Sequence, residues 1–397
     1  MEKSIFIYCW RLMVGGGLFF LPLFYLPQAA IPFEVPKVQF VLIWVIMMTI
    51  LTLVLVIMTK VINRMSKAHW LVGVWFLVLI LASMWGVDPV KSWLGNYYRW
   101  DGLTTIITLV GLFFVLSLFP RSFWTKWAMM GMALGNVTSS VWVMAQMILN
   151  KGAGFEGFGA GFGQPAFLAG YLLVTTPFVW WLTERIKQNN IKRICFWVTT
   201  IFITMGLLAT KTLISLVGLP ILLMGFFVIK KKVDYRVVII LSVVILTGAM
   251  TKYYAELKKE EVGGGMAYEG RERLLMKPFL AFRKRPIWGW GWANFDRAFE
   301  AVDWPIKMNN DVYADKAHSN LEEMAVTTGL LGLVSYLFLV GVVIRGLMSK
   351  KDLETKFCLL ALVIYLIHSQ TNVTSVAEEV VFWLVTARAT YWQAWVP

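Results

Sequence analysis

The chain has 397 residues, of which 58% are hydrophobic and 15% charged, with a mean hydropathy of +0.67 and a net charge of +14. That apolar share excludes an ordinary soluble domain of this length. The positive balance does not point to nucleic acid, because the cations sit in short clusters between apolar runs, where membrane topology signals lie.

Backbone inside lipid must satisfy its own hydrogen bonds, so apolar runs long enough to cross a bilayer read as helices. In chain order twelve spans are expected: 5–26, 38–59, 70–86, 103–119, 128–149, 166–182, 194–209, 212–229, 237–252, 324–345, 357–374 and 378–394. The expected fold is all-α: a polytopic integral membrane protein, one domain over 1–397, with about twelve transmembrane helices and one large loop at 253–323. The first run carries Arg11 and leads straight into further spans, so it reads as a span rather than a cleaved leader. Cations gather around Lys60 and Lys67, Arg121 and Lys126, Arg185 to Arg193, Lys230 to Arg236, and Arg345 to Lys356. The alternate connections hold only Lys37, Lys91, Arg99, Lys151 and Lys211 as short-loop cations. The richer set is expected in the cytoplasm. Both termini are then cytoplasmic and the 253–323 loop is extracytoplasmic.

That loop opens with a charged piece at 256–261 and three glycines at 263–265. Apolar residues at Leu274, Leu275, Pro278, Phe279 and Phe282 then predict a short amphipathic helix over 271–285. The Gly- and Trp-rich run at 286–292 is expected as a turn in the headgroup layer. Three cysteines, Cys9, Cys195 and Cys358, lie in apolar segments without ligand spacing and read as small buried hydrophobes. Arg11, Glu378, Glu379 and Arg388 lie near span ends and read as interfacial. His368, inside a span, reads as a buried hydrogen-bonding group beside Gln370 and Asn372.

His318 is one of three histidines and closes the longest polar stretch of the chain. An imidazole, with an ordinary pKa of about 6.5, can take a proton near neutrality. It can equally be a polar residue at a helix start, because Ser319 and Asn320 are good caps and Glu322 or Glu323 can complete a capping box. Arg99, Lys211, Arg271 and Arg273 share its side of the membrane and suit a phosphate-bearing ligand; headgroup contact is the plainer role. The run Ser92 to Leu103 mixes aromatics and hydrogen-bonding groups that suit sugar rings or an interfacial belt. The Gly161-Phe162-Gly163-Gln164-Pro165 turn lacks the Lys-Ser/Thr of a phosphate-binding loop. There is no Asp-x-Asp, no His-Glu-x-x-His and no Gly-x-Ser-x-Gly.

These residues resemble the O-antigen ligase/polymerase family of bacterial membrane glycosyltransferases. The family's histidine motif is matched by His318, Ser319, nine residues, Gly329 and Gly332; Arg271 ahead of Pro286-Ile287-Trp288-Gly289-Trp290-Gly291 matches its upstream pattern. Ser92, Gly95, Arg99 and Gly102, and Gly163-Gln164-Pro165, resemble two further motifs. Where the family usually has Ser-Arg between the seventh and eighth spans, Lys211 keeps the charge but lacks the guanidinium fork. Leu275 stands where the family often has Trp.

The resemblance implies inverting transfer of a glycan from an undecaprenyl-diphosphate carrier to an acceptor: lipid A core, another glycan or a protein. The reaction is placed at the outer face of the inner membrane, among membrane lipids and without nucleic acid, and it implies no metal and no cofactor, which agrees with the missing carboxylate pair. His318 is then the catalytic base, and Arg271, Lys211 and Arg99 hold the diphosphate. Arg273, Ser319, Asn320, Gly329, Gly332 and Gln164 give substrate or structural support. Ligation, protein transfer and repeat-unit polymerisation share the motif; the histidine spacing leans toward a ligase or protein transferase. A flippase for the same lipid is the rival of another class. It would bury charge mid-membrane and show inverted halves, whereas this chain gathers its polar residues in one outer loop.

Overall fold

The computed structural model describes residues 2–60, 65–149, 153–154, 157–231, 236, 267–303 and 314–390. Its helices are α1 (Glu2–Phe20), α2 (Glu34–Thr59), α3 (Lys67–Met84), α4 (Pro89–Leu94), α5 (Leu103–Ser117), α6 (Arg121–Leu149), α7 (Pro165–Glu184), α8 (Asn189–Ala209), α9 (Leu213–Ile229), α10 (Ala267–Lys284), α11 (Phe295–Glu300), α12 (Asn320–Met348), α13 (Leu353–His368) and α14 (Val376–Thr390). A two-residue hairpin, Ala153–Gly154 with Gly157–Phe158, is the sheet among the described residues. The described residues are thus essentially all-helical, and among them seven helices are long and apolar enough to cross a membrane. The expected span at 237–252 lies outside the described residues. The expected span 357–374 ends at His368, where a turn over 369–375 leads into α14.

Helix starts follow local chemistry. Asp88 and Asp352 cap α4 and α13 through the amides of Lys91 and Thr355. Ser66 and His69 form a reciprocal box at the start of α3, and His69 Nε2 reaches Ser117 Oγ at 3.0 Å. Pro165 occupies the first position of α7, where its missing N–H costs nothing. That helix is the hub: 89% of its apolar window is buried, against 28–44% for the other spans, which keep one face outward. The α1–α6 contact is closer than side chains allow, since a Cβ on Gly131 would stand 2.2 Å from Gly15 O.

The loops sort into two ends. Arg121, Arg185 and Arg388 meet Asp352 and Glu354 at one end. Lys91 meets Asp296, Arg99 meets Asp315 and Glu34 accepts from Val376 N at the other. Connections expected on one side therefore contact one another. The described part of the long loop forms a small helical cap, in which Ala281, Trp290, Phe295 and Phe299 pack together with Val326 of α12. The predicted amphipathic helix is present as α10; α11 was not foreseen. Trp290 and Trp292 lie within protein at 7% exposure, with indole N–H groups donating to Ala281 O and Asp101 O, rather than in a headgroup layer.

Gly329 breaks α12. Its φ of 66° and ψ of −165° are open essentially to glycine alone, and a Cβ there would stand 2.2 Å from Ile287 O. The freed groups pair with the Gly-Trp run. Trp290 N donates to Val326 O at 3.0 Å, Gly291 N to Thr327 O at 2.8 Å, and Leu330 N to Pro286 O at 2.7 Å. Gly289 permits the approach, for its Cβ would meet Thr327 C at 2.5 Å. Gly332 makes room for Thr328, whose hydroxyl donates to Met324 O at 2.6 Å. The expected span 324–345 is therefore two helices, a short one over 320–328 and a long one beyond.

Several buried polar groups overturn expectation. Glu378 and Arg388 are 0% and 2% exposed rather than interfacial, and each has a polar partner on α13 or at its cap. Arg388 Nη2 lies 2.9 Å from Asp352 Oδ1, and His368 Nδ1 lies 2.8 Å from Glu378 Oε2. His368 is thus buried as expected, but beside Glu378. Arg11 is half-buried and donates to Phe123 O at 2.9 Å. Cys358 is buried, Cys195 partly so, and Cys9 sits on the outer face of α1, so only the first fits the buried reading fully.

Candidate active site

A cavity of about 120 Å³ opens at the cap end, between α2, α5, the start of α12 and the 369–379 segment. Its lining includes His318, Ser319, Asn320, Arg99, Asp101, Lys316, Glu323, Glu34 and Glu379, with Trp75, Trp292, Tyr336, Tyr365, Phe382 and Trp383 as aromatic walls. It thus combines charge with ring faces.

His318 is exposed at its edge, on left-handed backbone with φ 57°. That conformation costs a non-glycine residue about 1–2 kcal/mol, and flanking groups hold it. On one side Ala317 N donates to Glu323 Oε2 at 3.0 Å. On the other, Asn320 N donates to Ser369 O at 2.7 Å. Ser319 caps α12 through Glu322 N at 3.4 Å, as expected, while Glu323 reaches back to Lys316 and Ala317 instead of closing a box. Asn320 Nδ2 donates to Tyr336 Oη at 2.8 Å.

Two ionic groups flank the histidine. Lys316 Nζ lies 2.6 Å from Asp101 Oδ2 and 3.1 Å from Glu323 Oε1, and 5.4 Å from the centre of the Trp292 ring. Arg99 Nε lies 2.7 Å from Asp315 Oδ2, with the guanidinium 5.3 Å from the Phe167 ring. Burial alone would raise the Asp101 carboxyl, but Lys316 and then the Asn96 amide and Arg99 hold it below the ordinary range. Burial would lower the Lys316 ammonium, but Asp101 and Glu323 carry it above its ordinary value. Asp315 likewise outweighs burial and raises Arg99. All three groups therefore stay charged through neutral pH.

The structure brings together His318, Ser319, Asn320 and Arg99. Gly329 and Gly332 shape the backbone below them. Lys211 is exposed on the α8–α9 turn with φ 54° and does not line the cavity. Gln164 starts α7 with no capping bond from its side chain and is likewise exposed away from the lining. Arg271 and Arg273 fall in α10, and their side chains lie outside the described residues. Sequence reasoning missed Lys316, Asp101, Glu323, Glu34 and Glu379. The available signal was proximity: Lys316 precedes His318 by two residues, and Asp101 follows Arg99 by two.

Residues 194–337 match a family model described as O-antigen ligase. The matched stretch contains His318, Gly329 and Gly332 and ends within α12. The match supports the O-antigen ligase family. No curated protein matches the chain. The family match and the apolar helices together indicate a membrane protein, and similarity to the O-antigen ligases supports glycan transfer as the class of activity.

Proposed function

We propose that the protein transfers a glycan from an undecaprenyl-diphosphate carrier to an acceptor hydroxyl or amide at the outer face of the bacterial inner membrane, with inversion and without metal or cofactor. Both termini would be cytoplasmic. The observation that carries the reading is His318 on left-handed backbone at the edge of a cavity whose lining includes charged Lys316 and Arg99. In this scheme His318 takes the proton of the acceptor as its oxygen or nitrogen bonds to the anomeric carbon. The bond from that carbon to the diphosphate oxygen breaks, and the electron pair leaves on the diphosphate. Lys316 and Arg99 stabilise the developing charge, joined by Arg271 on the strength of the motif match. Lys211, exposed on its own turn, has no part in the scheme. The aromatic walls suit sugar faces.

The test uses purified protein, an undecaprenyl-diphosphate glycan and candidate acceptors, with and without chelator. Transfer that survives chelator and is lost in His318→Ala is expected. A His318→Ala protein that inserts normally and turns over at the wild-type rate rules the base assignment out. The acceptor is read from a deletion strain: long chains stranded on the carrier indicate a ligase, and loss of long chains a polymerase.

A further inference from the structure

A residue other than glycine keeps a left-handed backbone where its neighbours over-determine it. For His318 the constraints on the C-terminal side come from the turn that ends α13. Ser369 O accepts from Asn320 N at 2.7 Å. Gln370 Oε1 accepts from Ser319 Oγ at 3.1 Å and from Leu321 N at 3.3 Å. Gln370 Nε2 donates to Ser369 Oγ at 3.1 Å. One carboxamide oxygen thus holds the residues on both sides of Asn320, and its nitrogen braces the residue that holds Asn320 itself. The far side of the same turn is held where Ser375 N donates to Glu378 Oε1 at 3.1 Å.

We propose that Gln370 is a positioning residue for His318, acting through Ser319 and Leu321 to set the direction in which the imidazole leaves the backbone. The proposal rests on His318 being the base. Both contacts to the histidine segment use Gln370 as an acceptor. A carboxylate at this position therefore preserves them, and an alkyl side chain does not. Gln370 touches neither the reacting atoms nor the charged groups in the scheme above, so its effect should fall on turnover rather than on donor binding.

The experiment compares Gln370→Ala, Gln370→Glu and His318→Ala in detergent. It reads melting temperature, amide exchange of the peptide over 317–323, and kinetics with an undecaprenyl-diphosphate glycan. Gln370→Ala is expected to exchange about ten-fold faster over that peptide. Its kcat should fall roughly 10- to 100-fold, with the donor KM within about two-fold. Gln370→Glu should return both readouts toward wild type. If the alanine protein unfolds, Gln370→Met, similar in length and without an acceptor, takes its place. Faster exchange with unchanged kcat overturns the proposal, as does a Gln370→Glu protein that restores neither readout. Failure of the underlying reading looks different: His318→Ala at the wild-type rate, whatever Gln370 does to exchange.

Discussion

The two ends of the helical bundle each carry a knot of charges, built differently. At the far end Arg388, Arg121 and Arg185 share Asp352 and Glu354, and Asp352 also caps α13. Backbone there is ordinary. Among the described residues at that end, positive φ is found at Lys60 and Lys231, where helices stop. At the cap end Lys316, Asp101, Glu323, Arg99 and Asp315 line or flank a cavity. Around them Gly95, Trp100, Gly289, Gly291, Ala293, His318 and Gly329 all hold positive φ. Ion pairs alone therefore do not mark a site. The difference lies in a cavity that the charged groups themselves line, with non-glycine positive φ at Trp100, Ala293 and His318 beside it; the far-end cavity by Lys67 and Arg345 is lined by none of Arg121, Arg185, Arg388, Asp352 and Glu354.

The sharpest way to break this comparison is to truncate both ends. His318→Ala should lower the transfer rate by about 10³-fold, within the range for loss of a general base, while leaving the melting temperature near that of wild type. If the melting temperature collapses instead, the cap-end histidine is structural and the contrast fails. Gly329→Ala comes next. A Cβ has no room beside Ile287 O, and the required dihedrals are closed to alanine. A loss of about 3 kcal/mol is expected, seen as a lower melting temperature and faster amide exchange at Trp290 and Gly291. Unchanged protection at those two amides would show that the pairing of 286–291 with α12 does not depend on the break.

The helical layout was largely legible in the sequence, because hydropathy and charge clusters act locally. The segment at 271–285 was legible for the same reason, since its apolar spacing is a property of one helix. His318, Gly329 and Gly332 were singled out by the motif spacing that carries the resemblance, which is also local. What stayed hidden came from contacts across long separations. The physical reason for Gly329, the backbone at 286–291, lies some forty residues away. Lys316 and Asp101 meet across more than two hundred residues, and either alone looks like a solvated loop charge. Arg388 and Glu378 read as interfacial because their partners sit on α13 or just before it. The six-residue α11 is too short to carry a period.

Arg388→Met tests the other half of the comparison. Arg388 is 2% exposed, but Asp352 is 36% exposed at its side chain and keeps Arg121 nearby, so much of the lost pairing is screened. A stability loss of about 1–3 kcal/mol is expected, with transfer per folded molecule unchanged. A rate that falls in step with His318→Ala would tie the far end to the reaction and erase the distinction between staple and site.

The smallest expected effect separates the two ends by pH. At the cap end Asp101 is depressed and Lys316 raised. The Asp101 contribution to stability is present above the unfolded carboxylate value of about 3.9 and is lost as pH falls through the lower folded value. The Lys316 contribution is present below about 10.4 and is lost as pH rises through the higher folded value. Neither changes between pH 5 and pH 9 or so, so an acid limb in the transfer rate over that window belongs to another titrating group. The far end behaves oppositely. Burial, then Arg121 and Arg388, lower the Lys350 ammonium to about 8. Between pH 8 and the unfolded value of about 10.4 the unfolded chain holds a proton that the folded one has released, so stability rises with pH across that interval. Because Lys350 is partly solvated the gain is small. It should appear as a slight rise in melting temperature above pH 8 that Lys350→Met abolishes. A melting curve indifferent to Lys350→Met would show that the two knots answer to pH in the same way.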